Sequence, residues 1–342
     1  MRRLLLPLAA LALAALACGQ TPTAAPTSQP TAIPQPTTVS RYSTIPAVEK
    51  MAPTDDAWPP VIAPGWSRPV PLDRPVNTAG AEDSPFITPD GQTLYFFFTP
   101  DVRVPPEQQL FDGVTGIWVT HRVDSTLSAA EGWSEPERVP LANPGELHLD
   151  GCEFVLDDWM VFCSAREGNA REIDLYTAAL RNGVWTDWQN WGEPFNVAYR
   201  VGEMHVTADG RFLYFGSDRP GGYGGIDLWV SEKTGDAWSE PINLGPQINT
   251  SGDENRPFVT ADEQELWFDS ISLQGYPGPA IFRAARQPDG SWGSREEVIS
   301  SFAGEPTLTG DGRTLYFVHH YFSADLNQMI EADIYISTQM EP

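Results

Sequence analysis

One hairpin signature recurs five times along the chain and limits the fold more than any other feature. Four copies are close to one another: "SPFITPDGQTLYFFF" (84–98), "MHVTADGRFLYFGS" (204–217), "PFVTADEQELWFDS" (257–270) and "PTLTGDGRTLYFVH" (306–319). A fifth, "EFVLDDWMVFCS" (153–164), keeps the pattern with two turn residues missing. Aligning Thr88, Leu156, Thr207, Thr260 and Thr309 gives steps of 68, 51, 53 and 49. A period near 50 belongs to propellers and solenoids. Each copy is a short apolar strand, an Asp-centred turn and an aromatic-rich strand. Asp-Gly supplies the positive φ of a tight turn, and aromatic residues suit a pleated surface.

A third strand follows each hairpin: "GIWVTHR" (116–122), "IDLYTAAL" (173–180), "IDLWVSEK" (226–233), "AIFRAAR" (280–286) and "DIYIST" (333–338). A fourth motif begins on Trp, at 132–141, 190–197, 237–245 and 291–299, and is missing after the last copy. It stands instead at the front, as "GWSRPVPLD" (65–73). The pattern predicts an all-β, five-bladed β-propeller with four antiparallel strands per blade. The N-terminal strand closes the last blade, which removes an open sheet edge.

Ahead of the repeats, Arg2 and Arg3 precede an apolar run from Leu4 to Leu16. That run is shorter than the ~20 residues of a spanning helix and has the shape of an export signal. Cys18, after "LAALA", resembles the lipidated cysteine of a bacterial lipobox, although Ala15 stands where Leu is usual; the alternative is an ordinary signal peptide with an incidental cysteine. Residues 1–17 are therefore read as a lipoprotein signal and 18–65 as a Thr/Pro-rich disordered tether. Residues 66–342 are read as the propeller. A stretch so poor in bulky apolar side chains cannot offset its ordering entropy. The expected location is the bacterial cell envelope, with membrane contact only through lipid on Cys18. The formal net charge of −25 argues against nucleic acid as a partner. A monomer is expected.

The segment "SDRPGGYGGIDLWVSEKTGDAWSEPINLGPQINTSGDENRPFVTADEQELWF" (217–268) resembles the repeat of TolB-type, WD-repeat-like propellers. It is most similar to versions attached to peptidoglycan-binding outer-membrane lipoproteins. The resemblance spans all five copies and implies the propeller fold with a scaffold or binding role. It implies no reaction, and no peptidoglycan-binding segment accompanies it.

Acidic residues open the innermost strands. Glu82, Asp150 and Glu254 lie six residues before the aligned position, and Glu203 and Glu305 four before it. Even offsets share one strand face, which puts all five near the channel mouth. Tyr223, Tyr276 and Tyr321 sit on loops expected to open at the same end. Carboxylates beside aromatics make a ligand mouth, suited to an envelope protein, peptide or glycan bound without catalysis. The competing reading is that the acids bond backbone amides between blades. A second functional reading is a glycan hydrolase using Asp83, Asp150 and Glu203, because two carboxyls ~5 to ~9.5 Å apart suffice for that chemistry. Repetition of the acids with the fold argues against it.

Cys152 and Cys163 fall opposite each other if Asp157-Asp158 is a two-residue turn, and export favours a disulfide between them; two buried thiols are the alternative. Arg166 with Asp174, and Arg219 with Asp227, are expected to pair within their blades. "RPGGYGG" (219–225) opens a strand rather than a helix and reads as a tight loop, not a phosphate site. The five histidines show no paired metal-ligand spacing. Neither a metal nor a cofactor is expected.

Overall fold

In the computed structural model, residues 40–45, 60–323 and 327–340 are described. The export signal, Cys18 and most of the expected tether lie outside them. The described chain is all-β, with several antiparallel sheets and almost no helix.

Two short strands lead, β1 (Val61–Ile62) and β2 (Val70–Pro71). The first sequence copy then forms β3 (Ala81–Ile87), β4 (Thr93–Thr99), a short helix α1 (Pro106–Gln109), β5 (Gly116–His121) and β6 (Glu137–Arg138). The second forms β7 (His148–Leu156), β8 (Trp159–Arg166), β9 (Asp174–Arg181) and β10 (Val184–Asn190). The third gives β11 (Val201–Val206), β12 (Phe212–Ser217) and β13 (Asp227–Thr234), with β14 (Ala237–Trp238) and β15 (Ile242–Asn243) both on β13. The fourth gives β16 (Glu254–Val259), β17 (Glu265–Ile271), β18 (Pro279–Ala285) and β19 (Glu296–Ser300). The last gives β20 (Ala303–Leu308), β21 (Thr314–Ser323) and β22 (Gln328–Thr338). Within each copy successive strands pair antiparallel.

The Trp-Ser-Arg-Pro segment pairs with the end of the chain. Val70 and Pro71 lie opposite Ile336 and Tyr335, and Trp66 bridges to Gln339. A single parallel contact, Ala332 to Ala81, joins β22 to β3.

The tight turns have one repeated chemistry. Thr88, Thr207, Thr260 and Thr309 each donate a hydroxyl to Asp90, Asp209, Asp262 and Asp311 at 2.6–2.7 Å. Each Asp also accepts the backbone N–H two residues on. The following residue has positive φ and is Gly91, Gly210 or Gly312 in three copies and Glu263 in the fourth. The aspartate clasp thus holds a left-handed residue even without glycine.

The fold begins earlier than Trp66. Val61–Ile62 extend the fourth sheet by pairing with Ser300 and Ile299 of β19. Arg41–Ser43 form a 3-10 turn, and Arg41 is fully buried. Its guanidinium donates to Glu82 and to the Val76 carbonyl at 3.1 Å, and also to the Pro75 carbonyl. It lies over the rings of Phe96, Phe98 and Trp118 at 5.0–5.5 Å. Other copies hold an arginine of their own in the same way. Arg166 sits over Phe162 and Tyr176 and pairs with Asp150, and Arg295 sits over Phe282 and pairs with Glu254. In the first copy the arginine comes from the stretch expected to be tether. Composition pointed away from this, because one buried side chain anchors a segment that has no apolar pattern of its own.

Candidate functional site

All five innermost strands break register at the same place. The breaks fall between Asp83 and Phe86, Gly151 and Phe154, Val201 and Met204, Asn255 and Phe258, and Gly304 and Thr307. At four of these bulges a residue other than glycine has positive φ: Ser84 (47°), Cys152 (55°), Arg256 (53°) and Glu305 (60°). Glu203 occupies the equivalent position in the third copy. A bulge inserts an extra residue and re-aims its neighbours. The acids six and four residues before the aligned position therefore do not share a face, contrary to the period-2 expectation.

The two sets separate cleanly. Glu82 is buried and accepts from the Thr78 amide (2.9 Å), the Thr78 hydroxyl (2.6 Å) and Arg41. Glu254 repeats this with the Thr250 amide (2.8 Å) and hydroxyl (2.6 Å), Ser270 and Arg295. Asp150 accepts from Ser164 and Arg166 on one oxygen (2.6 and 2.7 Å), and its other oxygen meets His148 Nδ1 at 2.6 Å. These three carboxylates fasten the fold. As a catalytic candidate Asp150 is corrected on this ground: it is 2% exposed and both oxygens are engaged. Arg166 accordingly pairs with Asp150 rather than with Asp174, which instead caps the Ala170 and Arg171 amides. Asp227 likewise caps Tyr223 and Gly224, while Arg219 donates to Ser217 at 3.2 Å.

The bulge residues face a cavity of about 410 Å³. Ser84, Cys152, Glu203, Arg256 and Glu305 all line it, together with Asp83 and Asp150. Beneath them the next inward positions carry buried rings in contact: Phe86 on Phe154 (5.0 Å between centroids), Phe154 on His205 (4.9 Å) and His205 on Phe258 (4.5 Å). Burial holds His205 neutral by lowering its pKa to about 3.

Arg256 organises the acidic wall. Its Nε lies 2.7 Å from Glu305 and 3.2 Å from Glu203, and its NH1 2.9 Å from Asp269. Ser84 donates its amide to Glu305 (2.6 Å) and its hydroxyl to Glu203 (3.2 Å). Burial pushes Glu203 up to about 7 against the pull of Arg256, with Asp83 and Asp269 adding to the rise. Burial also raises Glu305 well above the carboxylate range, and Asp83 and Glu203 add to it. Asp83 goes the other way: burial opposes ionisation, but His320, the Glu305 hydrogen bond and Arg256 together hold it below its ordinary value. Opposed shifts on neighbouring carboxyls are a mark of functional sites.

Among the aromatic candidates, Tyr223 and Tyr276 are exposed but do not line the cavity. Tyr321 is buried, with its hydroxyl 2.6 Å from that of Tyr335 and donating to Asp333 at 3.2 Å, so it is removed from the mouth. Cys152 and Cys163 are free thiols. The bulge puts Gly151, not Cys152, opposite Cys163. Sequence reasoning missed Arg256, Asp269 and Glu153, and it placed His320 on a mouth loop without its acidic partners. Asp83, Glu305 and His320 come from the first and last copies, and their ligand atoms lie within 4.8 Å of one another. No linear spacing could show that grouping.

No family model matches the chain, and no curated protein does. Solved structures do. TolB from Acinetobacter baumannii is 13% identical with a TM-score of 0.42; the match covers 77% of this chain and 56% of that one, so the chain spans little more than half its length. A putative TolB from Agrobacterium tumefaciens is 15% identical, covering 77% and 84% of the two chains with a TM-score of 0.44. A family 117 glycoside hydrolase from Zobellia galactanivorans is 14% identical, covering 80% and 90% with a TM-score of 0.49. Among the described residues no helix is long and apolar enough to cross a membrane.

Proposed function

We propose that this chain is an exported, lipid-anchored five-bladed β-propeller that binds a peptide or glycan end, without catalysis, in its axial cavity. On this reading Cys18 carries the lipid, and β2 supplies the outer strand of the fifth blade. The pairing of Val70 and Pro71 with β22 supports that arrangement.

One observation carries the binding role. In three copies the position six residues before the aligned one is an acid clamped by local donors, as a structural feature should be. The bulge position repeats in backbone but not in chemistry: Ser84, Cys152, Glu203, Arg256 and Glu305. Five equivalent bulges would serve the fold with any small residue. Four kinds of group at five equivalent places around one cavity serve a ligand. A volume of about 410 Å³ lies within the ~300–1,000 Å³ of small-molecule sites. Arg256 and Ser84 offer donors, and Asp83 and Glu203 offer acceptors to hydroxyl or ammonium groups.

A hydrolase is the second reading, favoured by the raised pKa of Glu203 beside the ionised Asp83. Against it, Asp150 borders the cavity with both oxygens already engaged by His148, Ser164 and Arg166. Screening the full-length chain on peptide and glycan arrays, with a parallel assay for released reducing ends, separates the two. Binding that weakens in Glu203→Gln without any product supports the proposal. Product formation by the native chain overturns it.

A further inference from the structure

We infer that Asp83, Glu305 and His320 form a site for a divalent transition-metal cation on the wall of the axial cavity. The inference does not depend on which ligand the cavity takes.

His320 is oriented by the backbone of its own copy. Its Nδ1 lies 3.3 Å from the Phe302 carbonyl, which can only accept, so Nδ1 carries the proton. Nε2 faces Asp83 Oδ1 at 3.5 Å. Oδ1 is buried and accepts no hydrogen bond within normal distance. The space between the two atoms takes a positive species, either a proton on Nε2 or a metal cation in its place. Metal-bound histidines are commonly oriented in this way, with the far ring N–H held by a carbonyl. Glu305 completes a set of two carboxylates and one imidazole within 4.8 Å. Its oxygens already accept from Arg256 and Ser84, but each carboxylate oxygen has a second lone pair to give.

The surroundings point the same way independently. Glu153 is 6% exposed, both its oxygens lack hydrogen-bond partners, and it lines a small second pocket that shares Ser84, Glu203, Arg256 and Glu305 with the cavity. Glu203 and Asp269 add two more carboxyls, and Arg256 is the guanidinium they share. Such an excess of buried carboxyl groups is relieved either by protonation or by bound cations. One nitrogen and two carboxylate oxygens suit Mn²⁺ or Zn²⁺ better than Ca²⁺, which prefers oxygen alone.

The test uses the full-length chain, stripped with a chelator, with no organic ligand present. Mn²⁺ is titrated in and followed by electron paramagnetic resonance, with electron spin-echo modulation for directly bound nitrogen. The expected result is one saturable Mn²⁺ with imidazole nitrogen modulation, competed by Zn²⁺. His320→Gln should lose the modulation, and Asp83→Asn should weaken binding at least tenfold. The inference is overturned if the folded native chain retains no Mn²⁺ or Zn²⁺, or if bound Mn²⁺ shows no nitrogen modulation. These readouts on the native chain stand even if a variant fails to fold.

Discussion

Replacing Arg41 by Ala should destabilise the folded chain strongly, although Arg41 lies 25 residues ahead of the expected domain boundary. The side chain and its partner Glu82 are both fully buried. Removing one member of a buried ion pair costs about 3–5 kcal/mol, because the other charge is left uncompensated. Glu82 keeps the Thr78 amide and hydroxyl, which places the electrostatic part near the lower figure. The hydrogen bonds to the Val76 and Pro75 carbonyls add roughly 1 kcal/mol each. A loss of about 5 kcal/mol should lower Tm by roughly 10–20 °C in a domain of this class. Urea and thermal unfolding of the full-length chain, followed by tryptophan fluorescence, measures it directly, with exposed Arg313→Ala as control. The double variant Arg41→Met with Glu82→Gln should recover part of the loss. If Arg41→Ala unfolds within 0.5 kcal/mol of the native chain (the range of an ordinary surface change), residues 40–45 do not dock and the clasp is refuted.

Other expectations follow from the same geometry. Glu203 has a folded pKa raised from 4.5 to about 7, so the unfolded state ionises first and the group's contribution to stability falls as pH rises from about 4.5 to about 7. Denaturation across that window should show Glu203→Gln gaining stability relative to the native chain with rising pH; a flat difference contradicts the assignment. Gly224→Ala should cost at least ~2 kcal/mol, because its new methyl would lie 2.0 Å from the Gly252 carbonyl oxygen, whereas Gly235→Ala meets no atom within 4 Å and should cost about 1 kcal/mol through its backbone angle alone. Thermal melts of the two variants decide. Intact mass of the denatured chain, alkylated without reductant, should show both Cys152 and Cys163 modified; protection of the pair would restore the disulfide.

Much of the fold could be read in the sequence, because hairpin chemistry is local. The Thr-x-Asp turn, the aromatic second strand and the displaced Trp segment all announce themselves within a few residues. The site was legible only in part. Glu203, Glu305 and Asp83 were reachable by alignment, but the bulge that sorts them from Glu82, Asp150 and Glu254 was not. Its positive-φ residues are Ser, Cys, Arg and Glu, so no glycine marked them. Arg256 and His320 lacked a signal for another reason: Glu203 and Glu305 beside Arg256, and Asp83 beside His320, lie on other copies, and a strand pattern reports which face a residue takes, not which neighbour it meets.

The central claim is that the axial cavity binds without turning over. Its most direct test is equilibrium binding of array-selected peptides or glycans to the full-length chain, measured by calorimetry alongside product analysis. The account predicts saturable binding at one site per chain, weakened by Glu203→Gln, with ligand recovered intact. Cleaved ligand whose formation requires Asp83 and Glu203, or binding indifferent to both, would contradict it.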